Sequence, residues 1–296
     1  MTRFSLGFRA LSGSPRPSLL KERYQDIDDK NDALRELLAE HPKAGEFLAR
    51  FERAWVYHDN ALEGVVYNEQ ELGAGLDPGG AAPEASLLPA VLDIRNQKAA
   101  IDYVREEAKA SGRKASSISL VTLKRIHDLL LGNTPEAQEI RAQLERRERT
   151  EKELVKERER AGLRKDMPLH RTYFHDIAPP AKIQPLLDKL VEFTASTEFK
   201  EYHPIKQAAT YQFQFLQIFP FSEHSGKVAR MASNLILQRH GYLPCVIHSI
   251  DRQRYYEAFR GTPASFRVLM MDAMENSLDN GLKFFRDQAR RYRAIN

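Results

Sequence analysis

Residues 218–230 read Ile-Phe-Pro-Phe-Ser-Glu-His-Ser-Gly-Lys-Val-Ala-Arg, and they gather the groups that hold an anion. A turn at Pro220 leads into a helix starting near Gly226, so the unpaired N–H groups and positive dipole end of that helix face the turn. A phosphate is favoured there, and Ser225 and Gly226 add little bulk to obstruct it. Lys227 and Arg230 fall in the same first turn, where the dipole disfavours cations, so they call for an anionic counterpart. Glu223 offers a hard oxygen ligand for Mg²⁺ bridging phosphates; a cap on the helix, or a pair with Lys227, is an equally weighted reading. His224 is an alternative base near neutral pH, against the commoner use of a loop imidazole as a phosphate contact or solvent-facing group.

The elements that must position this loop are helical. Residues 204–217 carry Ile205, Ala208, Ala209, Phe213 and Leu216 as a broad apolar stripe, and Val228, Met231, Ala232 and Leu235 continue the period up to His240. Helices are also expected over 29–40, 43–63, 89–110, 118–131, 181–194, 252–260 and 264–289. In the second of these, Phe47, Leu48, Phe51, Ala54, Trp55 and Leu62 share a face, and Gly64 ends it. Residues 73–83 are rich enough in glycine and proline to read as loop. Residues 136–160 interleave both signs of charge, as a solvated helical extension does, and 167–180 read as a short hairpin or flap ending at Pro179-Pro180. The class is all-α: a helical bundle around two central helices, with one small β-hairpin flap. The domain plan is a basic arm at 1–20, N-terminal helices at 21–88, and a core at 89–296 with the charged insertion.

At 296 residues, 42% hydrophobic and 29% charged, the composition is that of a globular protein. No apolar run is long enough to span a membrane, so a membrane role is not expected. The single Cys245 excludes an internal disulfide framework and cysteine-based metal sites, which fits a reducing cytoplasm. A net charge of +4 permits contact with nucleic acid without requiring it, and no basic face accumulates. His203, His240 and His248 are too scattered to suggest zinc.

The loop resembles the motif of the Fic (Fido) family, H-P-F-x-(D/E)-G-N-(G/K)-R-x-x-R, laid over residues 219–230. Pro220, Phe221, Glu223, Gly226 and Arg230 match; Phe219, His224, Ser225 and Lys227 depart. Further likeness runs through His203-Pro204-Ile205, Asn234 to Leu237, Gly241 to Pro244 and Asp251-Arg252, covering about residues 45–285. A second motif, Asp59 to Gly64, resembles the family's inhibitory sequence (S/T)-x-x-x-E-(G/N), with Asp59 in place of the hydroxyl residue and Glu63 intact.

The resemblance implies a Fic-like core that binds ATP or another nucleotide with Mg²⁺. Ser225, Gly226, Lys227 and Arg230 fall on the nucleotide side, Glu223 on the metal, and Glu63 pairs with Arg230 to keep the terminal phosphate from seating. It also implies a protein target docking at the flap near Thr172, Tyr173 and Phe174, and it admits a homodimer. Active members transfer AMP to a hydroxyl whose proton the motif histidine takes. Phe219 occupies that position and accepts no proton, and general-base help is worth roughly 10² to 10⁴ in rate. His224 places a Cβ where glycine's φ freedom is expected.

Three readings follow. The first is a Fic-like protein that keeps a nucleotide or phosphate pocket but is deficient in AMP transfer, autoinhibited or serving as a pseudoenzyme regulator. The second is an enzyme of altered chemistry, transferring another nucleotidyl or phosphoryl group or removing AMP. The third is a helical scaffold or nucleic-acid-binding protein, the least favoured.

Overall fold

The computed structural model describes residues 17–77, 85–111, 117–132, 162–168 and 176–295. Among these, eleven α-helices and two short 3₁₀ turns account for the regular structure. In chain order the helices are α1 (Pro17–Glu40), α2 (Ala44–Leu62), α3 (Glu69–Leu76), α4 (Leu88–Ser111), α5 (Leu120–Leu131), α6 (Pro180–Ala195), α7 (Thr197–Glu201), α8 (Pro204–Ile218), α9 (Ser225–Arg239), α10 (Arg252–Arg260) and α11 (Pro263–Ile295). There is no strand among the described residues; one isolated antiparallel bridge joins Leu163 to Phe221. The expected all-α bundle is what the chain forms.

The helices α8 and α9 are the central pair. Nearly every residue of α9 is buried, polar ones included, so its interior position depends on internal partners. Ser233 Oγ donates to Ala208 O at 3.2 Å, and Asn234 brackets Cys245, accepting from its N–H at 2.8 Å. Arg239 reaches Ser111 Oγ at 2.8 Å and Ser117 O at 3.1 Å, tying the end of α9 to α4 and the segment after it. Around the pair lie α4 against α9, α5 against α4, α6 and α11 against α8, and α1 against α11.

Several boundaries differ from the sequence expectation. The first helix is already formed at Pro17, well ahead of the expected 29, so it takes in part of the expected basic arm. The stretch 73–83, expected as loop, starts inside α3: Asn68 and Glu71 form a reciprocal capping box, which nucleates the helix through Leu76. Gly75 is there for packing, because a Cβ at that position would run into the side chain of Ile94. Leu48 is 41% exposed, so it leaves the α2 face that was expected to be buried. That face keeps Phe47, Trp55 and Leu62 and takes in Val56, Asp59 and Asn60 as well. The charged stretch 136–160 and Thr172, Tyr173 and Phe174 of the expected flap lie outside the described residues, as do residues 1–16.

Candidate functional site

The loop between the central helices is built on strained backbone. Among the described residues, the two non-glycine positions with positive φ are Phe219 at 49° and His224 at 60°. Left-handed backbone costs an L-residue roughly 1–2 kcal/mol, and such strain persists where surrounding structure fixes it. At the first position the Phe219 N–H closes α8 by donating to Phe215 O at 2.8 Å. Arg164 then clamps the turn, its Nε donating to Phe219 O at 2.6 Å and its Nη2 to Ile218 O at 3.3 Å and to Ala178 O. The Arg164 N–H donates to Pro220 O at 2.9 Å. A guanidinium at the carbonyl end of α8 also satisfies the negative end of its dipole. Sequence reasoning missed Arg164, and nothing in its local neighbourhood distinguishes it from the other arginines nearby.

The second half of the loop is braced from within. Ser225, fully buried, accepts from Phe221 N and donates to Phe221 O, both at 2.9 Å, so its hydroxyl is committed to the loop. His127 of α5 stacks on Phe221 with ring centroids 3.9 Å apart, and its Nε2 lies 3.1 Å from Glu223 O. Sequence reasoning did not single out His127, whose partners lie almost a hundred residues away. His224 is half-buried, and burial together with the Lys227 charge lowers its pKa. Its imidazole is therefore neutral at neutral pH. Phe219 is 1% exposed and its ring belongs to the core.

At the start of α9, α2 arrives with two carboxylates. Arg230 Nε is ion-paired to Asp59 Oδ1, its Nη2 donates to Glu63 Oε1 at 2.7 Å and to Asp59 O at 3.2 Å, and its Nη1 to Tyr255 OH at 3.3 Å. Asp59 is fixed in turn by Gln97 Nε2 of α4 at 2.8 Å, and Asn60 donates to Gln97 Oε1. Burial alone would raise the Glu63 carboxyl, but the charges of Arg230 and Lys227 outweigh it and hold Glu63 below the usual glutamate range. Burial works against the Arg230 charge too, and the surrounding carboxylates overcome it, so Arg230 titrates well above an ordinary arginine.

Gly226 matters here for close approach. A Cβ on it would collide with Glu63 Oε1 and sit 3.1 Å from Arg230 Nη1. With the carboxylate seated, the space bounded by Glu63, Gly226, Arg230, Tyr255 and Tyr256 is about 10 Å³, room for about one water. A larger hollow of about 400 Å³ lies between α6 and α8, lined by Leu186, Leu190, Phe193 and Gln217 among others and by none of these charged residues.

The carboxylate end of α2 is seated by α10 and the segment before it. Arg252 Nε and Tyr256 OH both donate to Leu62 O, at 2.8 and 3.0 Å, satisfying a carbonyl that a helix end leaves open. His58 stacks on His248 at 4.2 Å and accepts from Ser249 N at 3.2 Å. His203, also scattered in sequence, stacks on Tyr24 at 3.9 Å and meets Asp28 at 3.0 Å, fastening α1 to α8. Among the described residues no three His, Cys, Asp or Glu side chains converge as a metal would need. Glu223 alone would suit Mg²⁺ only where phosphate oxygens complete the shell.

A model of the Fic/DOC family matches residues 117–237, which include α5, α8, the loop and most of α9. A curated protein from Nematostella vectensis named protein adenylyltransferase Fic is 26% identical over 264 residues, covering 87% of this chain and 55% of its own length. A namesake from Aedes aegypti is 30% identical over 104 residues, 34% of this chain and 21% of its own. The chain thus spans about half, or less, of the length of these relatives. Among solved structures, Fic-1 (residues 134–508) from C. elegans superposes with a TM-score of 0.68 at 19% identity, covering 92% of this chain and 74% of that one. A Fic-domain-containing signaling protein from Bacteroides thetaiotaomicron gives 0.68 at 17% identity, covering 88% and 97%. These similarities establish a shared fold.

Proposed function

The chain belongs to the Fic/DOC family through its domain at residues 117–237, and from that premise we propose that it is a nucleotide- or phosphate-binding protein deficient in AMP transfer and held shut by α2. The relatives named protein adenylyltransferase Fic make ATP with a divalent metal the natural probe. Anionic groups would meet the N–H groups opening α9 and the charge of Lys227, with Glu223 supplying one oxygen to a metal shared with the ligand's phosphates. The metal would offset phosphate charge, and the chain's own residues would orient the ligand and keep water from it.

The observation that carries this reading is Phe219. It stands at the position where the motif has a histidine, it is buried, and its polar atoms are backbone atoms engaged within α8 and by Arg164. The Phe219 side chain itself has no atom that can take a proton from a hydroxyl nucleophile. Support for the closed state comes from the Glu63–Arg230 contact and the single water's worth of room beside it. A dimer and a protein target at the flap belong to this proposal as well.

The test is self-labelling with radiolabelled ATP, CTP, GTP and UTP in Mg²⁺ or Mn²⁺. The expected outcome is no covalent label on the natural chain, and appearance of label when Phe219→His is combined with Glu63→Gly and Asp59→Asn. Persistent label on the natural chain that vanishes with Glu223→Ala would establish catalysis and overturn the pseudoenzyme reading.

A further inference from the structure

Arg230 is held by two carboxylates of unequal character. Glu63 reaches it from the mouth of the site, with a side chain 23% exposed, and contacts one terminal nitrogen. Asp59 lies beneath, 3% exposed, and engages the guanidinium through both its carboxylate and its backbone carbonyl. Gln97 fixes the free oxygen of Asp59, Asn60 fixes Gln97, and Asn60 is itself anchored on Val56 O at 2.7 Å. Asp59 is therefore a rigid member of a connected network linking α2 and α4. Such networks lose heavily when one member is removed, because the remaining polar groups stay buried without partners.

The charge balance follows. Burial raises the Asp59 carboxyl, but the Arg230 guanidinium in contact with it favours the charged form; with Glu63 gone the two still form a neutral pair, so a phosphate entering the vacated space meets a dipole where a free guanidinium would present a full positive charge. A serine or threonine at 59 would offer an oxygen without that charge.

We infer that Asp59 is a second, deeper counter-ion that determines whether Arg230 can hold a ligand phosphate, so that loss of Glu63 alone does not free the arginine. This rests on the nucleotide-binding reading given above, and it changes which residue sets the strength of that site. Asp59 is a positioning residue: it acts on the ligand through Arg230. Arg230 in turn becomes a phosphate ligand when neither carboxylate claims it.

Two readouts separate this inference from the reading beneath it. The first is calorimetric titration of MgATP into the natural chain and into Glu63→Gly, Asp59→Asn and the double variant. Glu63→Gly is expected to bind within about threefold of the natural chain, and the double variant at least about tenfold more tightly than either single variant, since a charge-assisted contact contributes on the order of 1.5–3 kcal/mol. The second needs no nucleotide: modification of Arg230 by phenylglyoxal, followed by mass spectrometry. The reagent attacks an accessible guanidine, so labelling is expected to be slow in the natural chain and both single variants and at least about tenfold faster in the double variant. Asn at 59 keeps an acceptor for Gln97; should it not fold, Asp59→Ser, confirmed by its melting transition, takes its place.

If Glu63→Gly matches the double variant in both assays, Asp59 has no such role. Labelling that follows the expected order while MgATP binds none of the variants upholds Asp59 as counter-ion and removes the nucleotide reading. Labelling that is equally slow in all four proteins overturns the inference.

Discussion

Arg164 illustrates how much of the loop's shape is stored in one side chain. Its guanidinium donates to Phe219 O, Ile218 O and Ala178 O, and its backbone N–H to Pro220 O. Removing the side chain takes these donors away from buried carbonyls, each at a cost of roughly 1–3 kcal/mol. Arg164→Met, which keeps the apolar stem, is expected to destabilise the fold by about 3 kcal/mol, read as a lower urea midpoint at unchanged slope. A change below about 1 kcal/mol would mean the turn is held elsewhere. At this scale the sequence revealed chemistry better than pairing. The small residues, the carboxylate and the cations of 219–230 stood in plain view because anion binding depends on residue type in a short window. Arg164, His127 and the charge of Asp59 on Arg230 were hidden because their partners are remote in the chain; Asp59 and Arg230 are 171 residues apart. Ser225, expected on the ligand side, spends its hydroxyl on Phe221.

Among the elements, α2 brings Asp59 and Glu63 to Arg230, and its seat is sensitive to protons. His58 accepts from Ser249 N and stacks on His248, which requires a neutral ring. Burial, with a smaller contribution from the neighbouring His248, lowers the His58 pKa to about 4. Burial also lowers that of His248, with Asp251 opposing it. A histidine whose folded pKa lies below its unfolded value of about 6.5 binds fewer protons when folded. Its contribution is therefore intact above about pH 6.5 and is lost as pH falls toward 4. The melting temperature should drop across that window, and His58→Phe, which retains a stacking ring that cannot charge, should flatten the drop. An unchanged pH profile in the variant would dismiss the histidine pair as its source. Long periodic helices such as α8 and α9 were legible from their apolar spacing, whereas α3 was masked by its glycines. Its capping box and the tight fit of Gly75 on Ile94 are decided by neighbours as much as by intrinsic preference.

On the scale of the whole molecule, no helix of the described residues is long and apolar enough to cross a membrane. The core is continuous from α1 to α11. Cys245 reports on it: the thiol is buried, faces Met270 and is pushed up to about 12 by desolvation. A thiol reagent should therefore react only through molecules that have opened, at a rate set by the unfolding equilibrium under fast reclosing. The labelling rate is expected to rise with urea in parallel with the unfolded fraction; a urea-independent rate would reveal a local route to the cysteine.

The clasp between the two ends of the sequence has a consequence in time. Arg23 pairs with Glu275 and Asp272, Lys30 with Asp279 at 3.1 Å, and Phe47 packs on Phe284 and Phe285. The grip on Leu62 comes from Arg252 and Tyr256. Every one of these later partners follows α9 in the sequence, so a ribosome delivers the strained loop and Arg230 before it delivers what seats α2. At ordinary synthesis speeds the 33 residues of α11 alone take on the order of seconds. The nascent chain thus passes through an interval in which residues 218–230 have been made and the partners that fasten α2 have not.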